Sequence, residues 1–156
     1  MPLTSAGPGP DRPAQAAYRR ELAAVFAGGF AGAIVRADLA DALSPEAGGW
    51  PWPTFLANVA GAFLLGYVAT LLRDRDRGRG TDLRLRLLGT GFCGALTTFS
   101  TLQFELLVML DDGNGALAAA YLLASVAAGL AAVMIGDRLA RRRCRHRHRP
   151  AQPGPA

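Results

Sequence analysis

Gly89-Thr-Gly-Phe-Cys-Gly-Ala-Leu-Thr-Thr-Phe-Ser-Thr101 is the stretch whose reading decides the fold. Three glycines fall within six residues, and four hydroxyl residues then fall within five. Glycine adds backbone entropy and hydroxyls compete for backbone partners, so the segment makes a poor helix. Yet it lies in a run, Leu87 to about Leu110, whose only charge is Glu105. Inside hydrocarbon, broken helix is tolerated only where protein buries it or it lines a wet cavity. The carbonyls freed at such a break can hold a cation and the freed N–H groups an anion. Gly89, Gly91 and Gly94 also fit G-x-G-x-x-G, with Asp111 further on. No strand pattern precedes them and no βαβ unit can be drawn through an uncharged span, so a dinucleotide fold is excluded.

The neighbouring sequence fits the same reading. Three further apolar windows run from Leu22 to about Ala40, from Phe55 to Leu72 and from Ala116 to Gly136. The first is interrupted by Arg36 and Asp38; the other two are uncharged. A helix needs about 20 residues to cross the hydrocarbon core, so each window predicts one crossing, and each crossing should be helical. The 156 residues therefore form an all-α membrane protein with four transmembrane helices and a break in the third. Residues 1–20, rich in Pro, Ala and Gly, read as a disordered leader, 21–137 as the membrane domain and 138–156 as a basic tail.

The 17 basic residues are all arginine, and the net charge is +5. Arg12, Arg19 and Arg20 precede the first window, six arginines lie between the second and third, and seven follow the fourth. The other two connections carry only acids: Asp41 and Glu46, then Asp111 and Asp112. Arginine excess marks the cytoplasmic side, so both termini are expected inside a multi-pass protein of the inner or plasma membrane. The basic tail is read as an anchor at anionic membrane lipid rather than a nucleic-acid site. Cys93 and Cys144 fall at different depths and are not expected to pair.

Small residues recur at helical spacing: Gly28 and Gly32 with Arg36 next on that face, Ala57 and Gly61, Ala62 and Gly66. Such pairs let helix backbones approach, and generic packing accounts for most of them. Among polar intramembrane residues, Asn58 is the only amide of the second window, and Tyr121 and Ser125 share a face of the fourth. Each is a functional candidate or a helix–helix hydrogen bond. No general base, nucleophile or metal-ligand cluster sits in a plausible site, so the chain is not read as an enzyme.

Four motifs resemble the Fluc (CrcB) fluoride channels. They are Gly28-Gly-x-x-Gly-Ala-x-x-Arg36, Pro53-Thr-x-x-x-Asn58-x-x-Gly61, Gly91-Phe-Cys-Gly-x-x-Thr-Thr-Phe-Ser-Thr101 followed by Glu105, and Tyr121 with Ser125. The resemblance spans about residues 22–136 and implies a dual-topology architecture: two four-helix subunits packed antiparallel, with two narrow pores at their interface. It implies passive, selective fluoride export that relieves toxicity, and a structural sodium ion at the dimer centre, held by the carbonyls of Gly94 and Thr97. It implies Asn58 and Phe99 as pore lining, Ser100, Thr101, Tyr121 and Ser125 as the polar track, and Arg36 at the vestibule or dimer contact. Asn amides and hydroxyls are neutral donors that can replace fluoride's water without trapping it, and a Phe ring offers a positive edge.

Two features depart from the family pattern. The second pore aromatic is replaced by Leu102. The arginine bias is stronger than expected for a chain that inserts both ways, which favours a heterodimer with an oppositely oriented homologue over a homodimer. Two alternatives to the fluoride channel are a small proton-coupled multidrug transporter subunit, which needs a mid-membrane carboxylate, and a non-transporting membrane scaffold.

Overall fold

The computed structural model describes residues 12–43, 49–74 and 83–147. The first part of the expected leader, Glu46, Arg75, Arg77, Arg79 and the end of the tail from residue 148 lie outside the described residues. All described secondary structure is helical. Helix α1 covers Arg12–Ala42, and α2 covers Trp52–Asp74. The π-helical segment α3 covers Arg86–Cys93 and ends in one α-turn, Gly94–Leu96. Helix α4 covers Phe99–Asp111, and α5 covers Gly115–Arg147. Four stretches, Arg12–Ala42, Trp52–Arg73, Leu83–Asp111 and Gly115–Arg145, are long and apolar enough to cross a membrane.

Helix α1 starts within the segment assigned to the leader. Residues 12–20 are helical and exposed. Pro13 fits the first turn, where its missing N–H is not needed, and Ala14, Gln15, Ala16 and Ala17 are strong helix formers.

The helices pack as two parallel pairs. Along α1, Glu21 meets Arg86 at 3.0 Å, and a Cβ added at Gly28 or Gly32 would strike the backbone of Leu87 or Phe92. From the other side, a Cβ at Gly91 would lie 2.6 Å from the Val25 carbonyl. The α1–α3 contact is therefore backbone against backbone, which the Gly28/Gly32 spacing permits. In the second pair Gly66 abuts Val133, Gly136 abuts Phe63 and Tyr67, and Thr70 Oγ1 donates to Asp137 at 2.6 Å.

The turn from α4 to α5 explains how these pairs join. Gly113 has φ +76°, Asn114 N–H reaches back to Met109 O at 2.8 Å, and Gly113 N–H reaches Leu110 O at 3.1 Å. This is a Schellman stop, whose left-handed residue favours glycine. Above it, Leu102, Met109, Ala118 and Tyr121 form the buried cluster that joins α4 to α5, with Trp50, Phe55, Leu106 and Leu117 packed around it.

Candidate functional site at the helix break

The third span breaks at two residues. Thr97 (φ −82°, ψ 149°) and Thr98 (φ −145°, ψ 125°) are extended, between the Gly94–Leu96 turn and α4. They lie near the middle of the span Leu83–Asp111, where water cannot satisfy the backbone groups that the break exposes.

Asn58 of α2 fills that need. Its Nδ2 donates to Thr98 O at 3.0 Å, and Thr98 N–H donates to Asn58 Oδ1 at 2.7 Å. The side-chain amide thus pairs with the Thr98 peptide groups much as a neighbouring strand would. An amide nitrogen carries two hydrogens, so one Nδ2 donor remains. Thr98 caps α4: its Oγ1 accepts from Thr101 N–H at 3.2 Å and lies 2.9 Å from Thr101 Oγ1 and 3.4 Å from Ser100 Oγ. Thr97 stays tied to the preceding turn, its N–H and its Oγ1 both donating to Cys93 O at 3.0 Å.

These bonds release two carbonyls. In a continuous helix Thr98 N–H would serve Gly94 O, and Thr101 N–H would serve Thr97 O. Both donors go elsewhere, so the Gly94 and Thr97 carbonyls have no donor among the described residues. Gly94 is exposed, and the two residues sit on a groove of about 660 Å³ between α2 and α3 that is also lined by Gly61, Ala62, Gly89 and Cys93. Phe99, directly after the break, is 71% exposed on the surface of the protomer.

A second polar cluster lies nearer the acidic-loop end. Glu105 accepts from Thr54 Oγ1 at 2.5 Å and from Tyr121 OH at 2.7 Å, joining α2, α4 and α5. Tyr121 is completely buried, and Trp50 packs edge-on to its ring at 5.3 Å. Ser125 Oγ, one turn further along α5, is buried without a hydrogen-bond partner among the described residues, and so are Trp50 Nε1 and Arg36 Nε.

The predicted residues thus fall in two places. Asn58, Gly94, Thr97, Phe99, Ser100 and Thr101 gather at the break; Tyr121 and Ser125 lie beside Glu105. Arg36 belongs to neither group. Leu102 is only 6% exposed and packs in the Tyr121 cluster, inside the protomer rather than on the surface that carries Phe99. Sequence reasoning gave no role to Thr98, the pivot of the break, and left Thr54 and Glu105 unpaired. A sole carboxylate in an apolar window was the available signal for the second cluster.

The chain matches the family model described as CrcB-like protein, Camphor Resistance (CrcB), over residues 23–137. It is 53% identical over 123 residues to a protein of Mycolicibacterium paratuberculosis named fluoride-specific ion channel FluC 1, covering 79% of this chain and 92% of that protein. It is 44% identical over 117 residues to the fluoride-specific ion channel FluC of Prosthecochloris aestuarii, covering 75% and 90% of the two chains. A protein of Moorella thermoacetica named fluoride-specific ion channel FluC 2 is 42% identical over 113 residues, covering 72% and 89%. The family match reaches into all four spans and includes the clasped break, and the chain belongs to the CrcB family of membrane ion channels.

Proposed function

We propose that this chain is one subunit of a fluoride-specific channel that lets fluoride leave the cytoplasm passively, as half of an antiparallel dimer with a structural sodium ion at its centre. The observation that carries the reading is the break at Thr97–Thr98, clasped by Asn58 in a chain 53% identical to a protein named a fluoride-specific channel.

Each residue then has a task. Fluoride is small and strongly hydrated, and a dry pore must replace its water with donors that hold no net charge. The unused Nδ2 hydrogen of Asn58 and the hydroxyls of Ser100 and Thr101 are such donors. Phe99, exposed on the protomer, can present its positive ring edge to a passing anion. Toward the acidic-loop end Ser125 Oγ keeps its hydrogen free for such a donor series, while Thr54 and Tyr121 give theirs to Glu105 and hold the carboxylate in place.

The Gly94 and Thr97 carbonyls suit a hard cation, which takes oxygen ligands. They would hold the sodium ion, whose charge offsets the cost of carbonyls unpaired in lipid. The open groove beside them, with Gly94 and Phe99 exposed, supports a partner surface in this region. The arginine bias favours an oppositely biased homologue as that partner, with both termini of this chain cytoplasmic in the cell membrane. Relatives named FluC 1 and FluC 2 accord with a paired system.

Reconstitution tests the proposal. Liposomes loaded with fluoride should release it to an external electrode when this chain and an oppositely biased homologue are both present, and should retain chloride. Absence of fluoride release from this chain both alone and with its partner would leave a scaffold as the better reading. Proton-coupled uptake of a cationic drug would favour the transporter.

A further inference from the structure

Helix α5 runs without interruption from Gly115 to Arg147, well past Gly136, where its uncharged stretch stops. Its contacts sort the arginines by face. Arg141 Nε donates to both Asp137 carboxylate oxygens, at 3.0 and 2.8 Å, and Arg143 lies over the Tyr67 ring at 5.9 Å. The Arg143–Tyr67 contact and the Thr70–Asp137 bond fix the rotation of the helix end on α2. Arg138, Arg142 and Arg145 are four and three residues apart and share another stripe. All three are exposed and make no ion pair among the described residues.

Two acids at this end have described side chains, and both are paired off the stripe, Glu21 with Arg86 and Asp137 with Arg141, although Asp137 also feels the charge of Arg138 without bonding to it. The stripe continues into apolar surface, because Met134 and Ile135, four and three residues before Arg138, are about half exposed. Cations directly above exposed aliphatic side chains match a molecule with an anionic head and an acyl tail. A free anion or a nucleic acid offers only the first. At about 1.5 Å per residue, Arg138, Arg142 and Arg145 start roughly 3, 9 and 14 Å beyond Gly136, and the lean of helical side chains toward the helix N-terminus carries the last two back toward the headgroups. The headgroup layer is about 5–8 Å thick on each side of the hydrocarbon core.

We propose that Arg138, Arg142 and Arg145, with Met134 and Ile135 beneath them, form a binding stripe for anionic phospholipid at the arginine-rich end of the bundle. The stripe belongs to the membrane leaflet, independently of which ion the channel conducts.

The test titrates the full-length chain, purified in neutral detergent, with phosphatidylglycerol or phosphatidylcholine and counts bound lipid by native mass spectrometry. The parent should prefer phosphatidylglycerol. The triple variant Arg138→Gln/Arg142→Gln/Arg145→Gln should lose roughly 100-fold in that affinity, about fivefold per arginine, with phosphatidylcholine unchanged. The corresponding triple Lys variant should retain most of it. If the triple Gln variant does not fold, Arg142→Gln alone should show the single fivefold loss. Equal binding of the two lipids by the parent overturns the proposal, as does an undiminished preference in the Gln variants. Displacement of the lipid by equimolar inorganic phosphate or by single-stranded RNA also overturns it, because it would reveal a general anion site.

Discussion

Replacing Asn58 by Ala removes both bonds that close the break: Nδ2 to Thr98 O at 3.0 Å and Thr98 N–H to Oδ1 at 2.7 Å. Two backbone groups in mid-span then lose their partners. An orphaned group costs about 1–3 kcal/mol in a protein interior, and membrane hydrogen bonds fall toward the lower end of that scale. The expected loss is therefore about 2–4 kcal/mol of unfolding free energy. Asn58→Asp keeps the acceptor for Thr98 N–H and, with its carboxyl held neutral at low pH, also an O–H donor for Thr98 O, so it should retain most of the clasp there and lose the donor half on ionisation. Reversible unfolding of the purified chain in mixed micelles measures both variants. Fluoride efflux, normalised to folded protein, is measured in parallel. A stability within about 0.5 kcal/mol of the parent for Asn58→Ala refutes the clasp. A stability loss with normal flux per folded subunit keeps the clasp and removes Asn58 from the pore.

Other substitutions probe the remaining contacts. Gly32→Leu forces a side chain into the backbone of Phe92 and should separate α1 from α3, costing more than about 3 kcal/mol in the same unfolding assay. Tyr121→Phe leaves the ring packing but removes the donor to Glu105; it should cost about 1 kcal/mol, and a double-mutant cycle with Thr54→Val should show coupling through the shared carboxylate. Leu102→Phe enlarges a side chain in the buried Tyr121 cluster and should destabilise the protomer by about 1–3 kcal/mol, read as a lowered melting temperature. Exchanging sodium for a bulky organic cation at constant ionic strength should lower the unfolding free energy of the assembled channel, by about 2.7 kcal/mol if sodium had been present at a hundredfold its dissociation constant.

The four crossings were legible because continuous apolar runs of membrane length leave few alternatives. The break was legible because glycine and hydroxyl residues weaken a helix locally. Its position was not. Gly91 is taken up in the α1 contact within the π-helical segment, and the extended backbone is confined to Thr97 and Thr98. Which glycine serves packing depends on what lies opposite, and composition carries no record of that. The Glu105 cluster was hidden for the same reason: its partners are 51 and 16 residues away, on two other helices, and only the packing register aligns them. Leu102 was recognised as a departure from an aromatic pattern, but its burial against Tyr121 depends on how α4 is rotated on α5.

The Asn58–Thr98 clasp lies wholly within one polypeptide, and this bears on biogenesis. A newly inserted subunit can hold its bent third span in shape while it drifts alone through the bilayer. In the proposed dimer, its meeting with a mate would be the docking of two finished surfaces rather than a joint act of folding. Assembly should accordingly be limited by encounter, and an unmated subunit should persist long enough for quality control to find it intact.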